Sequence, residues 1–227
     1  MREIAFDTET TGLNWDEDDR IIELGAVEMM NHIPTGKTFR RLINPGRKVS
    51  EATVRITGIT DADLDGKPAF ENPDVVDAFL EFVGDATIVA HNAKFDRGFL
   101  NMELKRCGID PIPDERWIDT VEIARKKYPG APASLDALCK RFDISLESRT
   151  LHGALLDSQL LATVFLELLG GRARAFEFAD SADSALERAP AKQRPTPLNH
   201  APSKQEAAAH AEFISKLGED AIWKKLG

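Results

Sequence analysis

An α/β fold with a mixed sheet flanked by helices is predicted by three observations. The first third of the chain is strand-like, with "EIAF", "RIIELGAVEMM" and "TFRRLINP" separated by turn residues. Strand and helix patterns then alternate from residue 74 to about 120, which calls for a mixed sheet with helices on its faces. A strongly periodic helical segment, "ALLDSQLLATVFLELLGG", comes after them.

Taken in order, "EIAF" leads straight into Asp7 and Glu9, and "NHIPTGK" is expected as the turn between the second and third strands of an antiparallel meander. "NPDVVDAFLEFVG" sets Val75, Val76, Phe79, Leu80 and Val83 at helical spacing and stops at Gly84. "ATIVAHN" reads as a short buried strand, and "FDRGFLNMELKRCG" as a helix ending at Gly108. "LDALCKRFD" and the segment stopped by Gly170 and Gly171 supply two more helices.

After Phe178 the texture changes. Pro190, Pro195, Pro197 and Pro202 fall in an Ala/Ser-rich stretch almost without large apolar residues, so residues 179–204 are expected to form a disordered linker. Beyond it, His210, Phe213, Ile214 and Leu217 return at helical spacing, with Ile222, Trp223 and Leu226 past Gly218. A helix of about a dozen residues is marginal alone in water. Residues 205–227 therefore read as a docking segment for another protein, or as a helix folded back on its own domain. The expected organisation is a domain at 1–178, a linker at 179–204 and this tail.

At 227 residues and 42% apolar composition the chain can bury one substantial core, and no apolar run approaches a membrane span. "MREIAFDTE" has no apolar h-region, which predicts a cytoplasmic protein. Cys107 and Cys139 form no CxxC pair and are expected as reduced thiols. The net charge is -9, all of it in residues 1–178, while 7 basic and 7 acidic residues balance in 179–227. An acidic body does not suit broad non-specific grip on duplex DNA, but a site that meets phosphates through metal ions needs acids.

The candidate chemistry is spread over distant parts of the chain. Asp7 and Glu9, two apart on a strand, point to one side about 7 Å apart, where two anions repel unless a cation lies between them. A calcium loop is a poor alternative, since its twelfth position would be Asp18 and "REIAF" is no helix. Asp157 shares a helix face with Leu161, Val164 and Leu168. A carboxylate on an apolar stripe is expensive unless paired or bound to metal. His152 cannot share that face and is expected on the loop before the helix, placed to take a proton from water. Asp96 falls in a helix's first turn at a strand end. Individually these residues also allow solvated loop acids, an arginine partner for Asp157, a dipole-satisfying Asp96 and an idle histidine. Together, four carboxylates and one histidine make an oxygen-rich ligand set suited to Mg²⁺ or Mn²⁺, and two such ions serve phosphodiester hydrolysis.

The residues resemble the DEDD 3′–5′ exonucleases of the ribonuclease H-like fold, in the subclass with a histidine. "FDTETTGL", "VAHNAKFDRGFL" and "HGALLDSQLLA" look like its three motifs. "RIIELGAVEM", "GITDADL", "KKYPGAPASLDALCKRF" and the tail are similar to the proofreading subunits of bacterial DNA polymerase III. The resemblance implies a metal-dependent 3′–5′ exodeoxyribonuclease that removes mispaired nucleotides from a primer end as nucleoside 5′-monophosphates. It implies that Asp7, Glu9, Asp96 and Asp157 hold two divalent ions, Mg²⁺ or Mn²⁺, with His152 as general base. Asp7, Glu9, Gly12, Leu13, Phe95 and Asp157 would meet the terminal nucleotide, as would Thr57, which stands where the family often has histidine. Phe213, Leu217 and Trp223 would dock on the polymerase α subunit. Phe176 and Phe178 match part of a sliding-clamp motif whose leading glutamine is replaced by Ala173. An RNA or oligonucleotide exonuclease on the same site, and a replisome adaptor with a decayed site, are the alternatives.

Overall fold

The computed structural model describes residues 1–146, 151–171 and 202–216. Most of the expected linker, and Ala173, Phe176, Phe178, Leu217 and Trp223, lie outside the described residues. The chain divides into two units, Met1–Asp183 and Ser184–Gly227.

The first unit is built on a five-stranded sheet in the order β3-β2-β1-β4-β5. Strands β1 (Arg2–Thr10), β2 (Ile21–Met30) and β3 (Ile33–Leu42) form the antiparallel meander. Strands β4 (Thr87–Ala90) and β5 (Trp117–Asp119) add parallel to β1. The mixed sheet is thus as the pattern predicts. The turn between β2 and β3 differs. "NHIPTGK" is not one long turn, because only Asn31 and His32 leave the ladder, both with positive φ (50° and 69°). Two left-handed residues twist the connection to match the strands, and Ile33 to Lys37 continue as strand.

The helices on the sheet are α1 (Glu51–Thr57), α2 (Asp61–Leu64), α3 (Pro73–Val83), α4 (Ala93–Arg106), α5 (Thr120–Lys127), α6 (Leu135–Arg141) and α7 (Ala154–Leu168). Local chemistry sets several ends. Asn72 accepts from the Asp74 N–H ahead of Pro73, and Thr60 and Asp63 form a reciprocal capping box. Gly58 takes the left-handed conformation after α1.

Alternation along β1 separates two cores. Ile4 and Phe6 face α3 and α4, where Phe6, Phe39 and Phe79 pack with ring centroids 5.3 and 5.6 Å apart. Ala5 faces α5, α6 and α7, with Leu161, Val164, Phe165 and Leu168 of α7 nearly solvent-free. Each such side chain stabilises by about 1.5–3 kcal/mol on burial, so α7 is fixed to the sheet along its length. Both cysteines are free. Among the described residues no helix is long and apolar enough to cross a membrane. In the second unit the described helix is α8 (Lys204–Lys216), which buries none of its residues and leaves Phe213 60% exposed.

Candidate active site

β1 runs past the apolar residues to Thr10, so Asp7 and Glu9 lie within the strand, before a register shift at Glu9/Thr10. The same alternation that divides the cores sends Asp7 and Glu9 to the α7 side and Thr8 to the α4 side. β4 pairs with β1 only from Glu3 to Ala5. Beyond that point the Thr8 N–H has no ladder partner from β4, and Asp96 of α4 takes it. The Asp96 Oδ1 accepts from the Thr8 N–H at 3.0 Å and from its hydroxyl at 2.8 Å. Asp96 is 3% exposed, and burial pushes its carboxyl up to about 7, against the pull of the Thr8 hydrogen bonds.

α4 starts after Asn92, which has a positive φ of 68° and offers no side-chain cap. The missing acceptor comes from the end of β5. Asp119 Oδ1 accepts from the Asn92 and Val121 N–H groups (3.1 and 2.8 Å), and Oδ2 from the Ala93 N–H (3.1 Å). One carboxylate therefore caps α4 and α5 together.

α7 has the same deficit and the same remedy. Its N-cap is Gly153, without a capping side chain, and the Ala154 N–H donates to Glu23 Oε2 at 2.9 Å. Arg40 neutralises the other oxygen of Glu23 at 2.5 Å. Glu23 is the register partner of Glu9 across β1 and β2. Gly25, two residues on, lets the first turn of α7 lie against the strand: an added Cβ would stand 2.0 Å from the Ala154 carbonyl carbon. Ser158 Oγ lies 2.9 Å from the Gly25 oxygen and 2.8 Å from that of Ala154.

The expectation for Asp157 holds, with the carboxylate 4% exposed on the buried face. His152 is on the loop before α7, where its N–H donates to Ile56 O at 3.1 Å and its Nδ1 lies 3.2 Å from Asp157 Oδ2. Glu9, His152 and Asp157 each bring a ligand atom within 4.8 Å of the others. Asp7 joins His152 and Asp157 in the lining of a cavity of about 880 Å³, which also holds His91, Lys94 and Asp119. Burial lowers the affinity of the His91 imidazole for a proton, and its Nδ1 lies 2.9 Å from Thr120 Oγ1. The donor set fits a hard divalent cation, since it offers carboxylate oxygens and one imidazole without a thiolate.

Other sequence-predicted residues are placed as follows. Gly12 packs so closely on Asp19 that a Cβ would lie 2.2 Å from its Oδ2, and Leu13 beyond it is 78% exposed. Phe95 packs against Phe99 at 4.9 Å. Thr57 is buried, donates its hydroxyl to Thr53 O and accepts from the Ile59 N–H. That hydroxyl ties the last turn of α1 to the backbone that follows it. Glu23, Gly25, Thr8 and Asp119 were not anticipated. "WIDTVEIAR" carries a local cap signal at Asp119 for α5, but nothing local reveals its hold on α4.

A ribonuclease H-like sheet with Asp7 and Glu9 of β1 and Asp157 of α7 gathered beside a loop histidine has the architecture of a metal-dependent 3′–5′ exonuclease. Residues 4–165 match the family model described as "Exonuclease". Similar chains include the DNA polymerase III subunit epsilon of Rickettsia conorii, 43% identical over 96% of this chain and 96% of the relative. The subunit of the same name from Haemophilus influenzae is 36% identical over 99% and 95%. Among solved structures, exonuclease X in complex with 5′ overhanging duplex DNA is 30% identical, with a TM-score of 0.57 over 74% of this chain and 90% of that one. The nuclease domain of 3′hExo, a DEDDh family member bound to rAMP, shares the fold at a TM-score of 0.63 and 20% identity, over 74% and 91%. The chain belongs to the family of DNA polymerase III epsilon subunits, the proofreading 3′–5′ exonucleases.

Proposed function

We propose that this chain removes mispaired nucleotides from the 3′ end of a DNA primer in the cytoplasm, with Asp7, Glu9, Asp96 and Asp157 as metal ligands and His152 as general base. The convergence of Glu9, His152 and Asp157 within 4.8 Å carries the reading. Two divalent ions, Mg²⁺ or Mn²⁺, would supply water activation and charge stabilisation of the departing 3′ oxygen. With Nδ1 of His152 3.2 Å from Asp157 Oδ2, the half-exposed ring would take a proton from water and pass it to solvent. The tie from His152 N to Ile56 O keeps the loop against α1 while it does so. Gly12, Leu13 and Phe95 border the end of β1 and the start of α4, and would hold the terminal nucleotide. A mispaired end unpairs at lower cost, which gives part of the selectivity.

Residues 205–227 would dock on the polymerase α subunit through Phe213, Leu217 and Trp223. The exposure of Phe213 on α8 supports this reading. Phe176 and Phe178 would give at most a weak hold on a sliding clamp. The working division is a catalytic domain at 1–178, a linker at 179–204 and the tail.

The test is turnover of a 3′-mispaired DNA primer, a matched primer and a short RNA, each with Mg²⁺ and with Mn²⁺. Preference for mispaired DNA, lost in Asp7→Ala/Glu9→Ala, is expected, and preference for RNA would overturn the substrate assignment. Polymerase capture by that double variant should persist and should fail without residues 205–227.

A further inference from the structure

The outward face of α4 carries a feature that the hydrolytic site does not use. Lys94, Arg97, Asn101 and Lys105 recur at offsets of three, seven and eleven residues, which puts them along one side of the helix. The acids of α4 lie on its other side and are buried, Asp96 against Thr8 and Glu103 against Arg20. Gly98 sits in the middle of the basic stripe. The Trp15 indole fills the space a side chain would take there, since an added Cβ would lie 2.7 Å from its Cδ1 and Nε1. Trp15, Lys94, Arg97, Gly98, Asn101 and Lys105 line an open groove of about 360 Å³. Lys94 also lines the cavity that holds Asp7, His152 and Asp157, so groove and catalytic cleft meet at that residue.

We propose that this groove is a track for single-stranded DNA, in which the strand leading to the 3′ end lays its phosphates along Lys94, Arg97 and Lys105 and one base on the Trp15 indole. The proposal rests on the reading that the 3′ end is held beside Asp7 and Asp157. The stripe is about 16 Å long at the helical rise, room for about five phosphates of one stacked strand. An indole face accepts any base, which suits an enzyme that must take every sequence. Arg97 is paired with Asp114 at 3.0 Å, but Asp114 is exposed, and such a pair is weak enough for a phosphate to displace. Solvation alone accounts for exposed lysines in a chain of net charge -9. Core packing holds the Trp15 indole on Gly98, and the indole still lines the groove between these cations.

The experiment is anisotropy of a fluorescein-labelled oligo-dT of twelve nucleotides with the full chain, in EDTA, across a salt series. Arg97→Gln/Lys105→Gln should make the slope of log K against log salt shallower by about 1.4, since each phosphate contact on a single strand contributes about 0.7. Lys105→Gln alone, at an exposed position, should account for about half of that. Trp15→Leu and Gly98→Ala, which displaces the indole, should each weaken binding about tenfold with the slope unchanged. An unchanged slope in the double variant, or wild-type affinity in Trp15→Leu, would overturn the track. Equal affinity for polyphosphate would also overturn it, because bases would then play no part. Since no cleavage is measured, a failure of the hydrolytic reading appears separately, as a wild-type chain that binds the oligonucleotide but does not digest it with Mg²⁺.

Discussion

Replacing Gly25 by alanine should separate two parts of the site that the fold presses together. The new Cβ would lie 2.0 Å from the Ala154 carbonyl carbon, 2.2 Å from its oxygen and 2.3 Å from the Leu155 nitrogen. Ordinary carbon contacts are about 3.5–4.0 Å, so the first turn of α7 must retreat by roughly 1.5 Å. All three atoms are backbone, so no rotamer change relieves the clash. That turn precedes Asp157 and follows His152, whereas Glu9 stays on the sheet. A displacement of about 1 Å in a catalytic arrangement can cost about 100-fold in rate. The Ser158 contact to Gly25 and the Glu23 cap on Ala154 would stretch as well, a loss of roughly 2–4 kcal/mol for one neutral and one charged hydrogen bond. The assay is single-turnover digestion of a mispaired primer at saturating Mg²⁺, alongside a urea midpoint. A rate within threefold of wild type in a folded variant would refute the claim that the Gly25 contact sets the position of Asp157.

Three further outcomes follow from particular contacts. Asp119→Ala removes the cap shared by α4 and α5 and should cost about 1–4 kcal/mol by urea denaturation. It should lower kcat more than it raises KM, because Asp96 rides on α4; an effect on KM alone would contradict that role. Arg20→Met leaves Glu103, 1% exposed, with Arg106 at 3.3 Å as its remaining cation. A loss of about 2–4 kcal/mol is expected, and a urea-derived change under about 1 kcal/mol would show the pair to be dispensable. The carboxyl of Asp96 is raised from 3.8 to about 7 in the metal-free fold. Its protonated form favours folding, so its contribution is fully present below about 3.8 and is lost as pH rises through about 7. In EDTA, Asp96→Asn should flatten the pH dependence of the melting temperature in that window; an unchanged profile would contradict the assignment.

The sequence made β1, α3, α4 and α7 legible because each carries a long enough apolar period. α7 is the best case, since an acid on the face of Leu161, Val164 and Leu168 is expensive unless paired or bound to metal, and Asp157 is buried there. Shorter elements were not legible: α1, α2 and the three residues of β5 offer at most about two periods each, too few for a pattern to stand out. The tight turn at Asn31–His32 was hidden because His32, rather than glycine, takes a positive φ. In the candidate site, the residues proposed to bear the chemistry were readable from their motifs, whereas the groups that position their elements were not. Glu23 is 131 residues from the N–H it caps, and Asp119 is 26 from Ala93. Such caps belong to the sheet order, which no local pattern encodes.

Asp7, Glu9, Asp96 and Asp157 are proposed to hold two divalent ions and thereby enable hydrolysis. Titration of the full chain with Mn²⁺, followed by the loss of the free-ion resonance, tests it most directly. Two ions per wild-type chain are expected, with at most one in Asp157→Asn and primer digestion reduced at least 100-fold in that variant. Wild-type stoichiometry in Asp157→Asn, or digestion that persists without its carboxylate, would contradict the account.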